Sequence, residues 1–263
     1  MATDDLLSNS VIIAAHPDDE LLWFGAILKK VDRVIMVYED FWPNPEVGNA
    51  RAAVLDDYPR AGVTSLRIAE AATHSCADWN DPKLSEYGIE LGFEATKRDL
   101  KQSVKRLLGK SRAPRGGINA HYKQNFERVY TALKPLLMPE MNVFTHNPWG
   151  EYGHEDHIQV FRAVDRLRGE IGFTQWMTNY CTDRSLPLAM TYTQDDNRDY
   201  IQFPVDGTYA DTVADVYRKH GCWTWADNWR WFPFELYCRA PRQQSGGGLE
   251  PGLLPLNLFK FAA

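Results

Sequence analysis

The stretch Val11-Ile12-Ile13-Ala14-Ala15-His16-Pro17-Asp18-Asp19-Glu20-Leu21-Leu22 decides how this chain is read. Its first five residues are a short apolar run rich in β-branched side chains, which predicts a buried strand. Glu20–Lys30 then carries Leu21, Leu22, Phe24, Ala26, Ile27 and Leu28 and predicts a helix, with Asp18 or Asp19 as its N-cap. Arg33–Tyr38 predicts a second strand. Strand, helix and strand with short links form the βαβ unit of a parallel sheet. The ionisable string thus falls at the carboxyl end of the first strand, where open α/β sheets hold their ligands.

Further out, Glu39–Val47 contains Pro43, Asn44 and Pro45 and reads as a loop. Helices are expected over Ala50–Tyr58, about Glu94–Leu108, Tyr122–Leu137 and Asp156–Arg168. A loop with Pro114, Gly116 and Gly117 spans Ser111–Asn119. Asn142–His146 is a candidate strand, followed by the loop Asn147–Gly153. Beyond Gly172 aromatic and polar residues alternate in short runs, so irregular structure with a few strands is expected. The fold class is therefore α/β, a Rossmann-like, mostly parallel sheet flanked by helices. One domain is expected over 1–240. From about Pro241, Ser245-Gly246-Gly247-Gly248 reads as a flexible link to the weakly apolar end Leu253–Phe261.

The bulk properties fit this reading. A chain of 263 residues, 44% hydrophobic and 24% charged, is ordinary for one large soluble domain. Thirty-five acidic against 29 basic residues give a net charge of −6, which disfavours nucleic acid and anionic membranes as partners. The most basic segment, Lys97–Arg115, reads as a solvated helix face and a loop. Cys76, Cys181, Cys222 and Cys238 form no C-x-x-C pair and read as buried free thiols. The acidic start Met1–Asp5 lacks a signal peptide's pattern, and no apolar run reaches a membrane span. A cytoplasmic location is the default expectation; the oligomeric state is not legible.

Imidazoles and carboxylates are common zinc ligands. A strand end turning tightly into a helix can aim His16 and Asp19 at one point, and Pro17 stiffens that turn. Asp18, between them, can hold a proton-accepting position. Helix capping alone needs one acid, not three ionisable groups in a row. A second string, Gly153-His154-Glu155-Asp156-His157, sits at another strand-to-helix turn. There Asp156 could simply be a first-turn helix acid. Together the two strings supply three ligands and leave an open coordination position, as a catalytic zinc requires.

The Ala-His-Pro-Asp-Asp-Glu string after an apolar strand, with the later Tyr-Gly-His-x-Asp-His string, resembles the LmbE/PIG-L family of zinc-dependent N-acetylglucosaminyl deacetylases. The resemblance spans Val11–Arg168. It implies one Zn2+ per chain, with other divalent metals possible, held by His16, Asp19 and His157. It implies Asp18 as general base, and His154, protonated, stabilising the oxyanion, with Asp156 holding its ring. Tyr152 matches a tyrosine near the substrate mouth, and Arg51 an arginine that contacts substrate, although Val54 stands where an acid usually follows. Glu155 replaces the family's usual proline. The implied reaction removes an N-acetyl group from an N-acetylglucosamine-containing small molecule or glycoconjugate.

Trp149, beside the histidine string, is expected at the pocket rim, and Trp23 in packing. Trp223/Trp225 and Trp229/Trp231 have period-two spacing and read mainly as strand-borne core, with a place at the pocket rim, stacking on a sugar face or aglycone, left open for one or two of the cluster. The alternatives are an amidase acting on a non-sugar or thiol conjugate, and an inert carbohydrate-binding protein. Phosphoester hydrolysis is disfavoured, since no second metal site is evident.

Overall fold

A computed structural model describes residues 6–41, 43–109, 116–192, 199–226, 228–240 and 256–260. Seven strands form its central sheet: β1 (Ser10–Ala14), β2 (Arg33–Asp40), β3 (Val63–Ala69), β4 (Asn142–Thr145), β5 (Thr174–Thr178), β6 (Tyr200–Pro204) and β7 (Phe234–Arg239). Their spatial order is β3-β2-β1-β4-β5-β7-β6. The first five are parallel neighbours, and β7 runs antiparallel to both β5 and β6. The α/β class and the mostly parallel sheet are therefore as expected. The strand order reverses between β1 and β4, and the crevice of such a sheet opens at that point.

Strand β1 is buried along its whole length because both faces of the sheet are covered. Ile12 and Ala14 pack with Trp23, Phe24, Val213 and Tyr217. Val11, Ile13 and Ala15 pack on the other face with Phe126, Val129, Val160 and Val164. The latter four come from α4 (Ile118–Leu133) and α5 (Glu155–Ile171), which supply the apolar stripes expected of surface helices. Each fully buried aliphatic side chain of this kind contributes roughly 1.5–3 kcal/mol.

The expected helix Glu20–Lys30 is only one turn, α1 (Asp19–Leu22), followed by irregular turns. The amide of Ala26 donates to Glu235 Oε2 at 2.9 Å instead of continuing the helical ladder. A Cβ on Gly25 would meet the carbonyl oxygen of Leu21 at 2.9 Å, so the glycine allows this close folding. Helix α2 (Pro45–Asp56) starts earlier than expected, with Pro45 in its first turn. Beyond Gly172 the few expected strands are β5, β6 and β7, and the helices α6 (Leu186–Tyr192) and α7 (Gly207–Lys219) stand where irregular structure was expected. The Trp223–Trp231 stretch carries no strand. Ser245–Gly248 lies outside the described residues, but Asn257 and Leu258 pair in parallel with Tyr180 and Cys181.

Helix α3 (Phe93–Leu107) departs from a merely solvated charged face. Phe93, Leu100, Val104 and Leu107 on it are exposed, and Ala95 is its buried residue. The four cysteines are free and buried. Among the described residues no helix is long and apolar enough to cross a membrane.

Glu235 ties the sheet to the α1 turn. Its carboxylate also accepts from the hydroxyls of Tyr180 (3.1 Å) and Tyr237. Burial pushes its pKa from 4.5 up to about 7. A raised carboxyl pKa stabilises the fold fully below the unfolded value and loses that contribution as pH rises through the folded one. Denaturation midpoints of wild type should therefore fall between about pH 4.5 and 7 more steeply than those of Glu235→Gln. Parallel pH profiles for the two proteins would remove Glu235 as the cause.

Candidate metal centre and its cavity

Strands β1 and β4 end side by side, and each releases a turn rich in ionisable groups. On the β1 side the backbone of Asp18 has φ 96°, a left-handed conformation that costs a non-glycine residue about 1–3 kcal/mol. The turn is held by Glu20, not by a capping side chain. Glu20 Oε2 accepts the Asp18 N–H at 3.0 Å, while the hydroxyls of Tyr58 and Tyr217 donate to Oε1 at 2.7 and 2.8 Å. The Asp18 side chain is thereby freed from capping and takes a 2.5 Å bond from the hydroxyl of Thr224.

On the β4 side the loop winds around Asn147. Its Oδ1 accepts the N–H groups of Trp149 (3.2 Å) and Glu151 (3.0 Å). Gly150 takes φ +68°, and a Cβ there would lie 2.5 Å from the carbonyl oxygen of His154. This path turns Trp149 into the core and Glu151 toward the histidines. Trp149 is fully buried and its indole N–H donates to the Tyr180 carbonyl at 2.7 Å, so it is not a rim residue.

The hydrogen bonds assign the histidine tautomers. The Ala15 N–H donates to His146 Nε2 at 2.7 Å, so His146 carries its proton on Nδ1, 3.0 Å from Glu151 Oε2. His157 Nδ1 lies 2.7 Å from the same oxygen and donates to it. Its Nε2 is left buried with no hydrogen-bond partner, 3.2 Å from Asp19 Oδ2. His154 Nδ1 accepts the Asp156 N–H at 3.2 Å, so its proton sits on Nε2 and that nitrogen donates rather than ligates. The ring is thus neutral, not the expected imidazolium, and burial followed by the neighbouring His157 and His16 lowers its pKa well below 6.5.

Three atoms of the expected ligand set meet around one carboxylate oxygen: His16 Nδ1, Asp19 Oδ2 and His157 Nε2. Asp19 Oδ2 is 3.0 Å from the first and 3.2 Å from the last. Asp19 Oδ1 is oriented by the indole N–H of Trp23 at 2.8 Å, a role beyond packing. His16 Nε2 faces Asp156 Oδ2 at 3.3 Å, and Asp156 Oδ1 accepts from Thr73 Oγ1 at 2.7 Å. The Asp156 carboxylate therefore orients His16, while only its backbone N–H reaches His154. Carboxylates behind both imidazoles are the usual support of ligating histidines.

The electrostatics ask for positive charge at this point. Burial alone would lower His16, but Glu70, Asp156 and Asp19 raise it to about 10. Burial opposes ionisation of His157 as well, yet Asp19 and Glu151 raise it to about 9. Against burial, His157 and His16 hold Asp19 well below the ordinary carboxylate range. A buried, unpartnered imidazole nitrogen facing a carboxylate and a second imidazole fits a divalent ion. The histidine and carboxylate donors suit zinc, iron or cobalt. Among the described residues, the donors close enough to share one ion group as His16/His154/His157, Asp19/His146/His157, His74/His154/Glu155 and His16/Glu70/Asp156, so His157 stands in one group with His16 and in another with Asp19. Replacing Glu151 by Gln is expected to weaken metal binding about 10–100-fold, measured by competition with a chromogenic chelator. Unchanged affinity would show that Glu151 does not support His157.

The cluster lies in the wall of a cavity of about 1020 Å³. Asp18, Tyr152 and His154 line it beside the candidate ligands, and Arg51 lines it too. Arg51 Nη1 is 2.5 Å from Glu70 Oε1, so Glu70 supplies the acid that Val54 does not. Burial, then Asp19, pushes Asp18 up to about 7. Trp225, Trp229, Phe232 and Phe259 form an aromatic wall, with edge-on contacts of 5.4 Å between Trp225 and Trp229 and 5.6 Å between Trp229 and Phe259. Trp225 and Trp229 thus border the cavity instead of filling a strand core.

No family model matches the chain, and no curated protein matches it. Among solved structures, a deacetylase–teicoplanin complex from the teicoplanin biosynthesis pathway aligns over 89% of this chain and 99% of its own, with 11% identity and TM-score 0.47. A deacetylase–bog complex from the same pathway aligns over 90% of this chain and 99% of its own, with 13% identity and TM-score 0.49. The functional argument rests on the site itself.

Proposed function

We propose that the protein is a zinc-dependent hydrolase that removes the N-acetyl group of an N-acetylglucosamine-containing small molecule or glycoconjugate. The observation that carries this reading is Asp19 Oδ2 placed 3.0 Å from His16 Nδ1 and 3.2 Å from the buried His157 Nε2, beside a cavity that His16, Asp18 and Asp19 line. His16, Asp19 and His157 hold the metal. A bound zinc ion supplies Lewis acidity and a water acidic enough to ionise near neutral pH.

Asp18, with its pKa near 7, takes a proton from the attacking water. As charge develops on the amide oxygen, the neutral His154 donates its Nε2–H to it, and its Nδ1 stays fixed by the Asp156 amide. Asp18 then returns its proton to the departing amine. Tyr152 and Arg51 line the substrate's side of the cavity, and the aromatic wall offers faces on which a sugar ring can stack. An inert sugar-binding protein would gain nothing from a strained Asp18 held at a pKa near neutrality. The test is acetate release by the zinc-loaded protein from N-acetylglucosamine, its glycosides and an N-acetylated thiol conjugate. Release from the thiol conjugate alone would replace the sugar with a different amide substrate.

A further inference from the structure

The cavity is also bordered by His74, Arg98 and Arg184. We propose that these three side chains form a subsite for an oxyanion, carboxylate or phosphate, carried by the substrate next to its N-acetyl sugar. This inference rests on the deacetylase reading of the same cavity and adds the charge of the substrate to it.

The subsite is built on a turn that is fixed in place. Ala72 and Ser75 have φ of 58° and 59°, so the chain folds back sharply on either side of His74. Glu155, buried at the start of α5, accepts the N–H groups of Ser75 at 3.1 Å and Ala77 at 2.8 Å. Thr73 Oγ1 is anchored on Asp156. Arg98 Nη1 donates to the Ala72 carbonyl at 3.2 Å, and Arg184 Nη2 reaches Ser75 Oγ at 3.5 Å. The two guanidinium groups therefore bracket the turn. The His74 ring lies 5.0 Å from that of His154, so the bracket adjoins the reacting end of the cavity.

The charges there are not matched. Arg184 has no carboxylate within ion-pair distance among the described residues; it lies over the Trp79 ring at 5.3 Å. Arg98 is 3.6 Å from Glu94, a carboxylate it shares with Lys97. The acids lining the cavity are engaged elsewhere: Glu70 by Arg51, Asp19 by His16 and His157, and Asp18 by Thr224. Glu155, taken up by the backbone amides of the turn, is the acid nearest His74 and also feels the charge of Arg184. Burial and then Arg184 lower the His74 pKa, with Arg98 and His16 adding to this and Asp156 opposing it. The half-buried Arg184 guanidinium, which has no ion-pair partner among the described residues, suits two-point binding of a carboxylate or phosphate, with Arg98 beside the same turn.

The test compares acetate release by the zinc-loaded protein from three substrates: phenyl N-acetylglucosaminide, its p-carboxyphenyl analogue and N-acetylglucosamine 1-phosphate. At least one charged substrate should show a KM about tenfold below that of the neutral glycoside. The preference should shrink to about twofold or less in the variant carrying both Arg98→Gln and Arg184→Gln, and to an intermediate value in Arg184→Lys, which keeps the charge and loses the fork. Which charged substrate is preferred separates carboxylate from phosphate. In parallel, calorimetric titration with inorganic phosphate needs no turnover and should weaken about tenfold in the double Gln variant. Equal phosphate binding by wild type and variant, or equal KM for neutral and charged substrates, would overturn the subsite. Loss of phosphate binding in the variant with no acetate released from any substrate would keep the subsite and defeat the deacetylase reading.

Discussion

Asp18→Asn is expected to lower acetate release by about 10³-fold while the metal content stays at the wild-type level. The substitution is chosen to spare the fold. Asn is among the few residues that tolerate a positive φ, and the Asp18 backbone is at 96°. The Glu20 clamp acts on the Asp18 amide and is untouched, and the amide oxygen of Asn can still accept from Thr224. What Asn lacks is the capacity to take a proton from water and return it to the amine. Loss of the titrating carboxylate should also remove the acid limb that protonation of Asp18 gives to wild-type turnover. Turnover in Asp18→Asn within a few-fold of wild type would mean that the proton goes elsewhere.

His157→Ala is expected to abolish metal binding at stoichiometric concentrations, a larger loss than the about 10–100-fold expected from altering Glu151 behind it. It removes the nitrogen that faces Asp19 and leaves the Glu151 carboxylate with His146, Thr178 and the Asn147 amide as partners. His154→Ala is the contrasting case. It should retain the metal and lose about 10²–10³-fold in turnover, as for removal of one oxyanion donor. Metal analysis of the two purified variants separates His16/Asp19/His157 from the competing His16/His154/His157 grouping. Metal lost from His154→Ala and kept by His157→Ala would reverse the two roles.

The parts of the site that were legible in the sequence are those written within one turn of chain. His16, Asp18 and Asp19 follow a strand whose apolar run is unmistakable, and His154 and His157 share the start of one helix. The supporting groups come from afar. Glu70, Thr73, Tyr58, Tyr217 and Thr224 reach the centre from five other places in the chain, and no local pattern marks them. Glu151 lies only six residues before His157, but within a loop that composition describes only as a turn. Trp149 was misplaced because adjacency to the histidine string ignores the Asn147-centred turn that points it inward. Period-two spacing gave no strand among the described residues of Trp223–Trp231, where Trp225 and Trp229 border the cavity while Trp223 packs on Tyr217 and Trp231 bonds Asp211. The Glu20–Lys30 helix failed for a tertiary reason, the capture of the Ala26 amide by Glu235.

The most direct measurement is acetate release from N-acetylglucosamine conjugates by metal-stripped protein during titration with zinc. The account predicts no release from the stripped protein, a rise with each addition, and a plateau once each chain holds a single ion. Full activity in the stripped protein, or no acetate from any N-acetyl sugar at saturating zinc, would contradict it.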